Sequence, residues 1–386
     1  MSGDDMKYTA VDLFCGCGGL SAGLAKGGLQ VVAGFDGWGI ALKTYQLNHA
    51  HQAHLLDLSD ARAAADAIRA YGPDIVAGGP PCQDFSTAGR RHEGVQADLT
   101  VTFADTVVEV RPLAFIMENV DRAARSAAQA EAIRRFRQAG YGITQIVLDA
   151  SLFGVPQKRK RLFTVGVLGA DDGFLEAPLQ QRASTTRMSV REYFGEALDF
   201  EHYYRHPRSY SRRAIFSVDD PSPTVRGTSR PMPSTYRRHP RDAACPSSGV
   251  TVLGHAERAR IQTFPPDYQW PSGAPKVALD QMLGNAVPVE LAATVGAALR
   301  EFLDAWVVSL DRAPARQAIY QLVVATIEIS EAQAIALWKV AGLEVPDMAR
   351  RNSVSRRRAR HEEGLTNGIR QARHRRGQAS DDQRHH

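Results

Sequence analysis

Short apolar runs alternate, over the first 170 residues, with stretches whose apolar positions recur at helical spacing. Residues 9–14 (TAVDLF), 31–36 (VVAGFD), 74–79 (DIVAGG), 113–119 (LAFIMEN), 143–149 and 161–168 have strand length. Segments 41–49, 61–72, 101–110 and 130–140 carry the helical period. Strands that are apolar almost throughout, separated by helices, predict an α/β fold with a doubly wound, largely parallel sheet covered on both faces. Near residue 170 the pattern changes. Residues 171–250 are rich in Arg, Tyr, Ser and Pro and lose their periodicity, which predicts a smaller, loop-rich second domain beside the first, 1–170. Helical patterning returns at 254–264 (GHAERARIQTF) and 287–310, so 251–305 is expected to complete the first domain. Residues 306–349 are expected to form a helical extension, and 350–386 a basic, disordered tail.

Charge sharpens that division. The chain of 386 residues carries a net +5. Residues 350–386 hold 11 Arg against 4 acids, or +7, which leaves 36 basic and 38 acidic residues, or −2, for the rest. The basicity therefore belongs to the tail, a solvated end or an electrostatic arm for phosphates. Four cysteines, Cys15, Cys17, Cys82 and Cys245, are too few for a disulfide framework and do not have metal-ligand spacing. The N-terminus lacks an apolar signal core, and there is no run of 18 apolar residues; a soluble, cytoplasmic protein is expected.

Unusual residues gather where strands end, the edge at which parallel sheets bind ligands. DLFCGCGG, residues 12–19, makes a glycine-rich turn after the first strand. It departs from the dinucleotide fingerprint because Ser21 stands at the third glycine position. Asp36 closes the second strand about 20 residues on, where an acid accepts both hydroxyls of a ribose. A nucleoside without a required diphosphate fits both signals, and S-adenosylmethionine is such a ligand. Asp57 faces the adenine edge or is a helix cap. GGPPCQDFS, residues 78–86, places Cys82 on a stiff turn and opens a polar loop through residue 99. A buried structural cysteine would sit in an apolar stretch, so a nucleophile is favoured. Glu118 ends an apolar strand, where burial raises a carboxyl pKa and makes a proton donor; the alternative is a helix cap. Asn119 beside it can orient a ring or a backbone. In QKRKR, Gln157, Arg159 and Arg161 share one face by alternation, to hold an anion or a carbonyl oxygen or to form a surface patch.

Taken together and in order, DLFCGCGGLSAG, GFD, GGPPCQDFS, MENV, QKRKR, ERARIQTFPPDY and MLGNAVP resemble the motifs of the DNA (cytosine-5)-methyltransferases of bacterial type II restriction-modification systems, over residues 8–300. The resemblance implies a Rossmann-like S-adenosylmethionine-dependent fold, with residues 171–250 as target recognition domain. It implies that Cys82 adds to C6 of a flipped-out cytosine in duplex DNA, that Glu118 serves N3, and that Arg161 with Arg159 holds the base carbonyl or flanking backbone. Phe14, Gly16, Gly18 and Leu20, with Asp12, would line the cofactor; Asp36 would take its ribose, Asp57 its adenine, and Asn285 would complete the pocket. Gln83 and Ser86 fall to the DNA. Thr224 and Val225 would shape base readout, and Arg226, Arg230, Arg237 and Arg238 would meet guanine edges or phosphates.

Two departures stand out. Leu99 replaces an arginine of the catalytic loop. Gly37 replaces a bulkier residue that stacks on adenine, with Trp38 or Ile40 as side chains to compensate. Cys15 and Cys17 read as small hydrophobes. The implied role is protection of host DNA by a monomeric enzyme, with no metal. The alternatives are methylation of tRNA cytosine and a DNA-binding relative that has lost catalysis.

Overall fold

The computed structural model describes residues 8–81, 99–207, 209 and 211–311, with side chains through 306. Cys82, Gln83 and Ser86, the loop they open, and the residues beyond 311 lie outside the described residues.

The first half alternates as the pattern predicts: β1 (Thr9–Leu13), α1 (Gly19–Lys26), β2 (Gln30–Asp36), α2 (Gly39–Asn48), β3 (Gln52–Leu55), α3 (Ala61–Arg69) and β4 (Ile75–Gly78). Then come α4 (Leu99–Val110), β5 (Ala114–Val120), α5 (Ala127–Gln138), β6 (Tyr141–Asp149), β7 (Gln157–Lys158) and β8 (Lys160–Leu168). Among the described residues, seven strands form one sheet in the order β3-β2-β1-β4-β5-β8-β6. The five from β3 to β5 are parallel; β8 runs antiparallel between β5 and β6.

The antiparallel pair is where the sheet departs from an all-parallel reading, and the reason is local. Only residues 150–159 join β6 to β8, too few for the crossover helix that a parallel return requires. The reversal brings the start of β8, not its end, to the carboxyl edge of the parallel strands. Arg161 thereby pairs across from Val120, at the end of β5. The strand order also turns back between β1 and β4, the crevice in which open α/β sheets bind ligands. The glycine-rich turn follows β1, and Gly79-Pro80-Pro81 follows β4, so both motifs leave from that crevice.

One apolar cluster packs α3, α4 and α5 on the sheet through Val11, Leu13, Phe35, Ile68, Phe103 and Phe136. A second joins the end of the chain to the beginning, with Cys17, Ala41, Phe264, Met282, Leu283 and Val289 among its buried members. Its elements include α8 (His255–Ile261), α9 (Lys276–Asn285) and α10 (Val289–Asp311), which follow the loop-rich region. Small residues let α1 approach that last helix closely. A Cβ on Gly19 would lie 2.5 Å from the Val287 carbonyl oxygen, and one on Gly23 2.4 Å from Ala292 Cβ. By composition Lys276–Trp306 is apolar enough to cross a bilayer, yet its most apolar window is 67% buried, as in a core helix.

Between these parts, residues 171–250 are built from α6 (Glu176–Gln181), α7 (Val190–Phe194), β9 (His202–Tyr204), β10 (Ile215–Ser217) and β11 (Ser222–Pro223). Strand β9 pairs with β10 and with β12 (Thr251–Val252). With so few ladder bonds, side chains hold the backbone. Asp242, 6% exposed, accepts from the amides of Ala214, Ile215 and His239 and from the Tyr236 hydroxyl. Burial pushes its pKa up, but these donors outweigh it and hold the carboxylate below its ordinary range.

Candidate active site and cofactor turn

The turn after β1 is built on alternate left-handed residues. Phe14 has φ 56°, Gly16 φ 55° and Gly18 φ 93°. Phe14 is held there at a steric cost that glycine would not incur, a strain that gathers at functional turns. Gly18 has no room for a side chain: a Cβ would sit 2.3 Å from His49 Nε2. At Gly16 a Cβ would meet nothing within 4 Å, so the turn is open on that side. Asp36, at the end of β2, ties the turn after β1 to the start of its own following segment. Its Oδ2 accepts from the Gly16 amide at 2.8 Å and its Oδ1 from the Trp38 amide at 2.7 Å. Burial raises its pKa against these two hydrogen bonds. Each oxygen retains a further lone pair for a ligand hydroxyl.

The neighbouring positions differ in what they expose. Asp57 is exposed two residues beyond β3 and accepts from the Ser59 amide at 2.9 Å. Gly37 leaves open space, its nearest neighbour being the Leu56 carbonyl, 3.6 Å from a built Cβ. Of the two side chains expected to compensate, Trp38 packs against the second apolar cluster, whereas Ile40 is 39% exposed. Cys15 and Cys17 are buried, and burial pushes both thiols up, consistent with small hydrophobes. Leu20 is buried in α1, and Asn285 is exposed at the end of α9.

Asp12 lies beneath the turn, fully buried. Ser21 Oγ donates to its Oδ2 at 2.6 Å, and Oδ1 has no hydrogen-bond partner among the described residues. Burial pushes its pKa up to about 7; the Ser21 hydrogen bond opposes the rise and the Asp36 charge adds to it. The polar chain continues outward. Tyr45 Oη is 2.7 Å from Ser21 Oγ and 2.6 Å from His51 Nε2. Sequence reading missed Ser21, Tyr45 and His51, because Tyr45 falls on the apolar face of α2 and carries the signature of a core residue.

A second group collects at the ends of β5 and β8. Glu118, 7% exposed, has Arg161 Nε 2.8 Å from its Oε1. The close contact of opposite charges favours the ionised carboxylate. Burial raises the Glu118 pKa, opposed by the charges of Arg161 and Arg159. Asn119 Nδ2 donates to the Pro80 carbonyl at 3.1 Å, and a Cβ on Gly79 would lie 3.2 Å from Glu118 Oε2. The chain leading to Cys82 is thus fixed against the carboxyl group.

Arg159 is placed differently from Arg161. It is 1% exposed, and its guanidinium donates to the carbonyls of Val225, Gly284 and Ala286 at 3.1, 2.8 and 2.9 Å. Val225 itself is 5% exposed. Thr224 Oγ1 donates to the Lys158 carbonyl at 2.7 Å, and Arg226 donates to the His206 carbonyl. Arg230, Arg237 and Arg238 are exposed. No cluster of metal-binding side chains occurs among the described residues.

The family model of C-5 cytosine-specific DNA methylases matches residues 8–301. The chain belongs to that family, and it is a DNA (cytosine-5)-methyltransferase of the bacterial type II kind. The type II methyltransferase M.HgiDI of Herpetosiphon aurantiacus is 48% identical over 295 residues, covering 76% of this chain and 94% of that protein. M.HindV of Haemophilus influenzae is 45% identical over 298 residues, covering 76% and 96%. The crystal structure of the S. pombe Dnmt2 methyltransferase superposes with a TM-score of 0.57 at 17% identity, over 78% of this chain and 99% of that one, a likeness of fold. S-adenosylmethionine-dependent methylation of duplex DNA is what the family implies.

Proposed function

We propose that this enzyme methylates C5 of a flipped-out cytosine in a specific duplex sequence through a covalent Cys82–C6 adduct, and that it protects cytoplasmic host DNA from a cognate endonuclease. The observation that carries the reading is the meeting of two strand ends: Asn119 holds the Pro80 carbonyl while Glu118 lies against Gly79. Cys82 follows Pro81 directly in sequence, which supports the reading that its thiol works beside this carboxyl group and Arg161.

The chemistry follows from what cytosine lacks. Its C5 is a weak nucleophile until the thiolate of Cys82 forms a bond to C6. Glu118, whose pKa burial raises against the pull of Arg161 and Arg159, serves N3 in its acid form and disperses the charge that builds on the ring. Arg161 faces the base carbonyl. After methylation C5 gives up its proton to a base, the C6–S bond breaks, and Cys82 is regenerated. A base stacked in a duplex is out of reach of the thiol, so the cytosine leaves the helix first.

The turn suits the cofactor. Open space at Gly16 and Gly37 beside a carboxylate with spare lone pairs fits a ribose and its base, with Asp57 and Asn285 exposed at the rim. When bound, S-adenosylmethionine supplies an electrophilic methyl group. Phe14, Gly16 and Gly18 shape its bed and Asp12 lies below. Residues 171–250 carry recognition, with Thr224, Arg226, Arg230, Arg237 and Arg238 as candidates for DNA contact.

Trapping on duplex DNA containing 5-fluorocytosine tests the mechanism. A stable adduct mapped to Cys82 is expected, together with loss of methyl transfer in Cys82→Ser. An active preparation that forms no adduct would overturn the covalent route. Bisulfite sequencing of plasmid DNA propagated with the gene identifies the target site, and transfer to tRNA but not to that duplex would favour the tRNA reading.

A further inference from the structure

Both peptide groups of Val225 are wired to the end of α9, which carries Asn285. On one side the Val225 amide donates to Gln157 Oε1 at 2.7 Å. Gln157 Nε2 donates to Gln262 Oε1 at 2.8 Å, and Gln262 Nε2 donates to the carbonyls of Leu283 at 2.6 Å and Ala286 at 3.2 Å. On the other side the Val225 carbonyl accepts from Arg159, whose other nitrogen serves Gly284 and Ala286. The two routes leave one residue and meet again at the Ala286 carbonyl. Gln157 and Gln262 are fully buried and Arg159 nearly so. Water therefore does not compete for these bonds, and removing one of the three side chains leaves buried polar groups unmatched.

The two segments also touch directly. A Cβ on Gly284 would lie 2.1 Å from the Gly227 amide nitrogen, so main chain packs on main chain with no side chain between. Further along, Arg258 donates to the Arg226 carbonyl while Asp280 accepts from the Ser229 amide at 3.1 Å and pairs with Arg258. Residues 225–229 are thus fastened to the catalytic body along their length.

We propose that Arg159, with Gln157 and Gln262, is a positioning bracket that couples DNA recognition to cofactor binding. A displacement of the Thr224–Arg226 segment on reading a base is passed to residues 283–286, and so to Asn285, because close-packed elements joined by buried bonds shift together. Arg159 acts through Val225 and the Asn285 loop and does not touch the base. This inference rests on the assignment of those two segments to DNA and to cofactor.

Linkage supplies the test, because coupling between two ligands is reciprocal. Sinefungin, an analogue of the cofactor, is titrated calorimetrically into the full chain with and without the duplex identified by bisulfite mapping. The wild-type enzyme is expected to bind it at least about fivefold more tightly with that duplex than with a scrambled one. In Arg159→Lys and in Gln262→Leu that ratio should fall to within about twofold of unity, with thermal melting used to confirm folding. A loss that is merely structural lowers the melting temperature and both affinities but leaves the ratio in place. An unchanged ratio in either folded variant overturns the proposal, as does a wild-type ratio of one. Asn285→Ala separates the assumptions: if it leaves sinefungin affinity without DNA unchanged, the loop assignment fails, independently of the coupling.

Discussion

The turn after β1, proposed for the cofactor, and residues 171–250, proposed for recognition, solve the same problem, fixing an irregular backbone, by different means. The turn hangs from β1 and β2, whose ladder bonds are set by the sheet, and one carboxylate, Asp36, closes it with two amides. The recognition region has few ladder bonds of its own. Its backbone is held by buried side chains acting one residue at a time: Asp242 on residues 214, 215 and 239, Arg159 and Gln157 on Val225, Arg258 on Arg226. A sheet tolerates changes of side chain better than such clamps do, since its main-chain bonds do not depend on which residues are present. Substitutions at clamps should therefore cost folded stability, while those at the turn should cost ligand affinity.

The largest effect is expected at the chemistry that both regions serve. Glu118→Gln should lower the rate of a single methyl-transfer turnover by about 10²–10⁴-fold, a range typical of a lost general acid, with sinefungin affinity unchanged. The raised pKa of Glu118 and its proposed role as donor predict that the wild-type rate falls as pH rises through that raised value. Rapid-quench rates against pH would show this limb, and the glutamine variant should lack it.

Asp242→Ala should destabilise the recognition region by about 3 kcal/mol, because four donors lose a charged acceptor. Its depressed pKa means that this stability is present above the ordinary carboxyl range and is lost as pH falls through the folded value. Denaturant melts at pH 7 and pH 3 would check it: the variant and wild type should differ less at the lower pH. Equal stability at pH 7 would end the contrast drawn above.

Asp36→Asn should weaken sinefungin binding by more than it lowers the melting temperature, since an amide keeps one acceptor oxygen, shared between a backbone amide and the ribose hydroxyls. Asp12 sharpens the picture with the opposite sign. Its pKa rises from 3.8 to about 7, so the neutral acid favours the fold at low pH and that contribution is lost between those values as pH increases. Asp12→Asn should flatten the pH dependence of the melting temperature over that window. The smallest effect belongs to Lys26→Met, which removes an exposed ion pair with Glu290 and should shift stability by no more than about 0.5 kcal/mol.

Much of the turn was readable in advance because its chemistry is local. Asp36 follows the glycines at a spacing that the β1-α1-β2 unit imposes, and strand ends mark the ligand edge. Glu118 and Arg161 were readable one at a time, but their contact depends on the antiparallel entry of β8, which follows from the short connection before it. The bracket was not legible. Gln157 and Gln262 are 105 residues apart, and a buried glutamine has no pattern that separates it from an exposed one. Arg159 and Arg161 lie in one basic run and look alike in sequence, yet one faces Glu118 and the other grips main chain. Asp242 resembles any loop acid until its four donors are seen.

The close packing of α1 on α10 brings together parts of the chain far apart in order. The Tyr8 hydroxyl donates to Asp304 at 3.3 Å, so the first described residue meets the last helix of the compact unit that runs through Asp304. Motif order along the polypeptide is then a matter of gene arrangement rather than of assembly. A circular permutant that joins these neighbouring ends by a short linker, and opens instead in the exposed segment of residues 184–187, should fold to the same unit and retain methyl transfer.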